Sequence, residues 1–358
     1  MMETIPGSAA GTRNVPVDAA KTFAIAGVLL IHASAVGGFS APVGSGSWCA
    51  ALFWGSVLRC AVPVFFLCSG ALLLNPEKDV SPRRVWTHYI PHILAALFFW
   101  AAAYGGWALL LGWHRTGVLE AAAIRRTLLD LVLFHHKSHL YYLHIVLLVY
   151  ALLPVTRAFT ARATRAQLRY FLLAWLALGV ALPTLRAFPP FSQMTGIPAQ
   201  WPMNMTYASV GYTAAGWAVR KYGAHRRPRE YALLYLVGFV FTYSGTLWMS
   251  ARQGELYGGF LSGMAPGICA EAVGLYGWCT AYFRDAPEKR GLAAVSRASF
   301  CIYLTHLFFL DFLAGRGLTA AAFAPAVSVP LIAAALFACG FAVWLAARRI
   351  PWVNRWLI

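Results

Sequence analysis

The feature that most constrains this chain is a series of apolar runs, each about 20 residues long, the length a helix needs to cross a hydrocarbon core of ~30 Å. They fall at approximately 17–38, 50–74, 89–112, 141–158, 168–186, 205–220, 230–250, 259–283, 292–313 and 322–347. Lipid offers no hydrogen-bond partner, so the backbone of each run must satisfy itself as a helix. The expected fold class is therefore all-α, a polytopic integral membrane bundle of about ten transmembrane helices. Residues 1–16 read as an N-terminal tail, 17–347 as the transmembrane domain and 348–358 as a C-terminal tail. The stretch 125–136 reads as a short amphipathic helix lying at the membrane surface.

Composition agrees, with 60% apolar and 11% charged residues against roughly 25% charged in a soluble domain. The net charge of +17 would point to nucleic acid if it covered one face, but the cations sit in short clusters between apolar runs, so no nucleic-acid partner is expected. With the N-terminus in the cytoplasm, the inner segments hold twenty Lys and Arg and the outer loops six, which predicts both termini cytoplasmic. Arg13 and Lys21, the run 22–31 and Ala33-Ser34-Ala35 also fit a cleaved signal peptide, the less favoured reading. Six of the seven cysteines lie in apolar runs, where a thiol acts as a small hydrophobe, and only Cys49 reads as exposed; no disulfide framework is expected.

Ionisable side chains at membrane depth are costly unless paired or hydrated, and each is a candidate for function. The first run carries Asp18, Lys21 and His32, with His32 about 16 Å deeper than Lys21 by helical rise. Arg59 lies inside the second run, too deep to snorkel easily, just before Val62-Pro63-Val64-Phe65-Phe66-Leu67-Cys68-Ser69-Gly70. Arg83, Arg84, His88 and His92 open the third. His139 and His144 mark the fourth, Glu271 the centre of the eighth, and Asp311 lies in the ninth. Ser299, Tyr303 and His306 fall at i, i+4 and i+7 and share one helix face, which is expected to look into the bundle. His32 or His306 alone could be a buried imidazole that only ties helices together; with Arg59 and Glu271 at similar depth, a shared polar cavity is the stronger expectation. His135, His136 and His139 lie in a stretch expected to be wet, with no carboxylate or Cys to complete a set, so no metal site is expected. Neither a Walker A loop nor a GxSxG motif is present, and the glycines of 254–267 lack the context of a dinucleotide site.

Four elements in order carry a family resemblance. Val17-Asp18-Ala19-Ala20-Lys21 followed by His32 resembles the opening of the membrane acyltransferase family 3. Residues 62–70 look like its Val-Pro-x-Phe-Phe-x-x-Ser-Gly motif. The stretch HLYYLHIVLLVYALLP at 139–154 is similar to its His-Leu-aromatic-aromatic span, and SFCIYLTH at 299–306 to its Ser-x-x-x-Tyr-x-x-His element. Within the family the chain looks closest to short, single-domain O-acetyltransferases of surface polysaccharides such as enterobacterial common antigen. Many members carry two arginines after the second span, thought to hold the acyl donor; here Arg84 keeps the first position and His88 stands at the second, where it offers fewer donors to a phosphate.

The resemblance implies acetyl-CoA as a cytoplasmic co-substrate, a cell-surface or lipid-linked glycan hydroxyl as acceptor, a bacterial inner membrane location and no metal. His32 is expected to act as general base, His306 to orient it, share the acid–base work or briefly carry the acyl group, and Arg59 with Tyr303 to hold the oxyanion. Lys21, Arg83, Arg84 and His88 are the candidates for the donor phosphates. His139, His144, Glu271 and Ser69 are the candidates for acceptor contacts, with loop 187–204 setting specificity. The alternative is a secondary transporter or flippase in which the same groups form a proton or substrate path; a non-catalytic sensor or scaffold is a third reading.

Overall fold

The computed structural model describes residues 13–358. Among the described residues there is no strand; the chain is a bundle of helices. In chain order these are α1 (Val15–Ala35), α2 (Gly46–Ser56), α3 (Ala61–Leu73), α4 (Pro82–Thr116), α5 (Ala121–Val132), α6 (Tyr141–Ala151), α7 (Leu153–Arg162), α8 (Arg165–Leu185), α9 (Met205–Ala218), α10 (Pro228–Gln253), α11 (Pro266–Tyr282), α12 (Arg290–Gly315), α13 (Pro325–Ala347) and α14 (Pro351–Trp356).

All ten apolar runs form helix, but they are not ten equal spans. Among the described residues, seven helical segments are long and apolar enough to cross a membrane, with α2 and α3 counted together as Gly46–Leu73, or eight when α6 and α7, bent by 55°, count as one. The remaining two, α9 and α11, have 14 and 17 residues, which is why length and apolarity alone do not select them. The expected amphipathic segment is α5, which ends at Val132; Phe134, at φ 59°, turns the chain so that His135 and His136 lie beyond the helix. Most of the expected N-terminal tail lies outside the described residues. The expected C-terminal tail is not loose: it forms α14, and Trp100 of α4 donates to the Leu357 carbonyl at 2.9 Å.

Local sequence explains where helices begin and end. The Asn14 side chain accepts from the Val17 N–H, with Pro16 in the first turn of α1, and Thr164 with Gln167 makes a reciprocal capping box on α8. Gly117 and Gly254, both left-handed, terminate α4 and α10. Burial separates the centre from the rim: 61% of the apolar stretch of α1 and of α12 is covered by protein, against 17% of α10. The faces that α10 leaves uncovered carry Leu233, Leu236, Val237 and Val240, the surface a helix presents to lipid. The tightest seam joins α3 to α9, where a Cβ on Gly70 would fall on the Thr213 carbonyl and one on Gly216 on the Leu67 carbonyl. Only glycine lets these two backbones approach so closely.

All seven cysteines are free thiols; five are buried, while Cys49 and Cys339 are half-buried, so Cys49 is less exposed than its sequence position implied.

Candidate active site

Histidine 306 stands at the middle of the bundle, completely buried on α12. Its Nδ1 lies 2.7 Å from the Tyr303 carbonyl one turn back. A carbonyl only accepts, so Nδ1 carries the proton of the neutral ring and Nε2 keeps the lone pair. That Nε2 is buried and bonded to no described protein group. The His32 ring of α1 is 4.8 Å away between centroids, and the His139 ring is 5.5 Å away. Three imidazoles from helices distant in sequence thus meet, with His306 between the other two. His32 is half-buried and His139 almost completely buried, so His32 is the more accessible member.

His139 sits in the short turn Ser138–Leu140 ahead of α6. The Tyr303 hydroxyl donates to its backbone carbonyl, and the Tyr104 ring meets the imidazole edge-on at 4.8 Å. His139 is therefore dry, contrary to the wet loop expected from sequence, because Tyr303 and Tyr104 draw the turn inward. The same bond engages the single O–H donor of Tyr303, so in this arrangement the hydroxyl has no proton to offer an oxyanion and supports His139 instead. His136 and His144 form a separate pair, 5.1 Å between centroids, close to Phe134 on the α5 side. A carboxylate does stand nearby: Asp130 lies 3.5 Å from His135. Even so, no group of three His, Cys, Asp or Glu side chains among the described residues could hold a metal ion.

Arg59 lies in a break. Residues 57–60 are a turn, and the second apolar run is two helices, α2 and α3, where sequence had given one. Such a break is tolerated at membrane depth only where protein satisfies the freed backbone, and Tyr235 of α10 does so by donating to the Val57 carbonyl. Arg59 Nε donates to the Leu261 carbonyl at 3.0 Å, from the turn Gly259–Leu261 that dips into the bundle between α10 and α11. Glu271, fully buried on α11, lies near Cys60 and Thr242 and within electrostatic reach of Arg59. Arg59 in turn acts electrostatically on His32.

Other expected site residues lie elsewhere. The Ser69 hydroxyl donates to the Phe65 carbonyl of its own helix at 2.9 Å. Arg84 meets Asp79 at 3.4 Å and Arg83 is exposed, with His88 half-buried a turn later. The Asp79 carboxyl is held below its usual range chiefly by the Ser81 backbone N–H, with Arg84 adding to the effect. Asp18 pairs with Arg13 at 2.5 Å and Asp311 with Lys137 at 2.9 Å, which neutralises both carboxylates. Lys21, almost completely buried, lines a cavity of about 330 Å³ at the end of the bundle where α1 and α12 begin and α13 ends. Sequence reasoning missed Tyr104, Tyr235 and the Leu261 carbonyl. None carries a sequence signal, because their importance arises from packing between distant helices.

A family model described as an acyltransferase domain matches residues 14–349. The chain belongs to the membrane acyltransferase family 3. All four resemblance elements fall within the matched stretch, as do all three central histidines and Arg59. No curated protein and no solved structure matches the chain. This acyltransferase is thus a multi-pass membrane protein whose polar centre is built from α1, α12 and two interrupted segments. Membership of an acyltransferase family gives the transporter reading no support.

Proposed function

We propose that this protein is an O-acetyltransferase of the bacterial inner membrane, both termini cytoplasmic, that moves an acetyl group from cytoplasmic acetyl-CoA to a hydroxyl of a cell-surface or lipid-linked glycan. The observation that carries the reading is the His32–His306 pair, 4.8 Å between ring centroids, inside a stretch that matches an acyltransferase domain. His32 takes the proton of the acceptor hydroxyl as its oxygen attacks the thioester carbonyl carbon. The tetrahedral oxyanion forms near Arg59, whose Nε is fixed on Leu261 while the rest of the fork stays available. Collapse breaks the C–S bond, the thiolate takes the proton back from the imidazolium, and the products are the acetyl ester and free CoA. His306 packs its ring against His32 and offers Nε2 as a second proton site.

Glu271 lies within electrostatic reach of Arg59, where its carboxyl supports the arginine's position. An acceptor from the outer face would meet loop 187–204. Phe188 of that loop stacks on Phe260, next to the Leu261 that holds Arg59, so the loop and the catalytic arginine share a support. Surface-polysaccharide decoration of the enterobacterial common antigen type is the acceptor class most in keeping with the sequence resemblance.

The test is transfer of radiolabel from acetyl-CoA by purified protein, with and without glycan, in wild type, His32→Ala and His306→Ala. The expected outcome is glycan-dependent transfer by wild type and near-complete loss in His32→Ala. Undiminished transfer by folded His32→Ala would remove that residue from the mechanism.

A further inference from the structure

The cavity of about 330 Å³ that Lys21 lines is strongly cationic. Arg13, Lys21, Arg297, Arg348 and Arg349 all border it, together with Asn354, and among the described residues no Asp or Glu side chain does. Of these five cations only Arg13 is paired with a carboxylate among the described residues, at 2.5 Å from Asp18. Lys21 is 8% exposed and makes no hydrogen bond or ion pair with any described residue. A lysine so buried, among like charges, is unfavourable in the protein alone, since neighbouring cations repel most strongly where water is scarce. An anion that enters the cavity relieves that repulsion and gives each cation a partner. Arginines also match phosphate oxygens with paired N–H donors, and three of the five, Arg297, Arg348 and Arg349, converge from α12 and the end of α13.

The position of the cavity is as informative as its charge. Lys21 and His32 lie on α1, and Arg297 and His306 on α12. By helical rise the cavity stands about 16 Å from His32 along one helix and about 14 Å from His306 along the other. An extended amide chain about five residues long covers that distance, a span suited to a pantetheine arm.

We propose that this cavity is a phosphate-binding site that receives the phosphorylated adenosine end of the acyl donor, held by Lys21, Arg297, Arg348 and Arg349 rather than by Arg83, Arg84 and His88, none of which lines it. The phosphate chemistry stands on the cavity itself; its assignment to the acyl donor rests on the acetyl-transfer reading. A lipid headgroup presents the same phosphate chemistry, so the experiment separates the two sources.

Full-length protein in phosphatidylcholine nanodiscs is titrated with adenosine 3′,5′-bisphosphate, comparing wild type, the double variant Arg348→Ala/Arg349→Ala and, as a surface control, Arg252→Ala. The two arginines are exposed at a helix end, so their removal leaves the core untouched. Loss of two charge-assisted contacts is expected to weaken binding by about tenfold or more in the double variant, and to raise KM for acetyl-CoA with kcat retained. Equal affinity in wild type and double variant overturns the proposal. So does failure of the nucleotide to bind wild type while phosphatidylglycerol, added to the nanodiscs, is retained by wild type and lost from the variant, because the phosphate is then a lipid's. Acetyl transfer on the same samples keeps the two ideas apart. Turnover with unchanged KM in the variant removes the site and leaves acetyl transfer standing. Arginine-dependent nucleotide binding by a wild type that turns over no acetyl-CoA upholds the site and removes the transfer reading.

Discussion

At the scale of single residues, the proposed transfer uses His32 as a base with His306 behind it. A base must be neutral to accept a proton, so turnover is expected to fall by about tenfold per pH unit on the acid limb of the pH–rate profile, and His32→Ala to cost about 100- to 10,000-fold in kcat. Arg59→Met is expected to lower kcat by about 100- to 1,000-fold with little change in KM, as befits a group that acts mainly on the transition state; an equal rise in KM with kcat intact would place Arg59 in ground-state binding. Tyr303→Phe removes only the bond to the His139 carbonyl and is expected to cost about 1 kcal/mol in stability, read from detergent-solubilised thermal unfolding. His32, His306 and Arg59 were legible in the sequence because intramembrane charge is rare and because i, i+4, i+7 spacing defines a face. His139 was misread as wet, since its burial depends on Tyr104 and Tyr303, 35 and 164 residues away, and no local pattern records such contacts.

At the scale of elements, the α3–α9 seam sets how closely the bundle can pack. Gly70→Val puts a branched side chain onto the Thr213 carbonyl, and an overpacked seam of this kind costs about 1–3 kcal/mol. Gly106 of α4 has open space around the place a Cβ would take, so Gly106→Ala is expected to be neutral or slightly stabilising. Unfolding midpoints of the two variants, measured side by side, check the contrast; equal midpoints would mean that the seam relaxes freely. Helix existence was readable from apolar runs alone, whereas the break at 57–60 was not. Nothing in Val57-Leu58-Arg59-Cys60 disfavours helix, and the interruption is maintained by partners on other helices, namely Tyr235 on Val57 and Leu261 on Arg59. Pro63 lies just inside α3, where a proline suits the first turn of a new helix, and is a hint only in hindsight.

At the scale of the whole molecule, topology turns on α9 and α11. With its five-residue π turn Val219–Gly223, α9 is comparable in length to α11, about 25–28 Å by helical rise, slightly short of a ~30 Å core. Both are sheltered by neighbours, α9 against α3 and α11 against α10 and α1, so neither needs the apolarity of a lipid-facing helix. The cations follow their ends. Arg220, Lys221, Arg226 and Arg227 lie between α9 and α10, and Arg284 and Lys289 between α11 and α12, with Arg290 opening α12, while loop 187–204 before α9 holds none. By the preference of Lys and Arg for the cytoplasmic side, both short helices are expected to cross. Single cysteines at Ser192 and His225 should then react with a membrane-impermeant maleimide from opposite faces of sealed vesicles, as should cysteines at Glu255 and Glu288. In a background without the seven native cysteines, labelling of both members of a pair from one face would mean that the helix between them is re-entrant. His225 and Glu288 on the face shared with Arg348 would put the cationic cavity, and with it the donor's entry, on the cytoplasmic side.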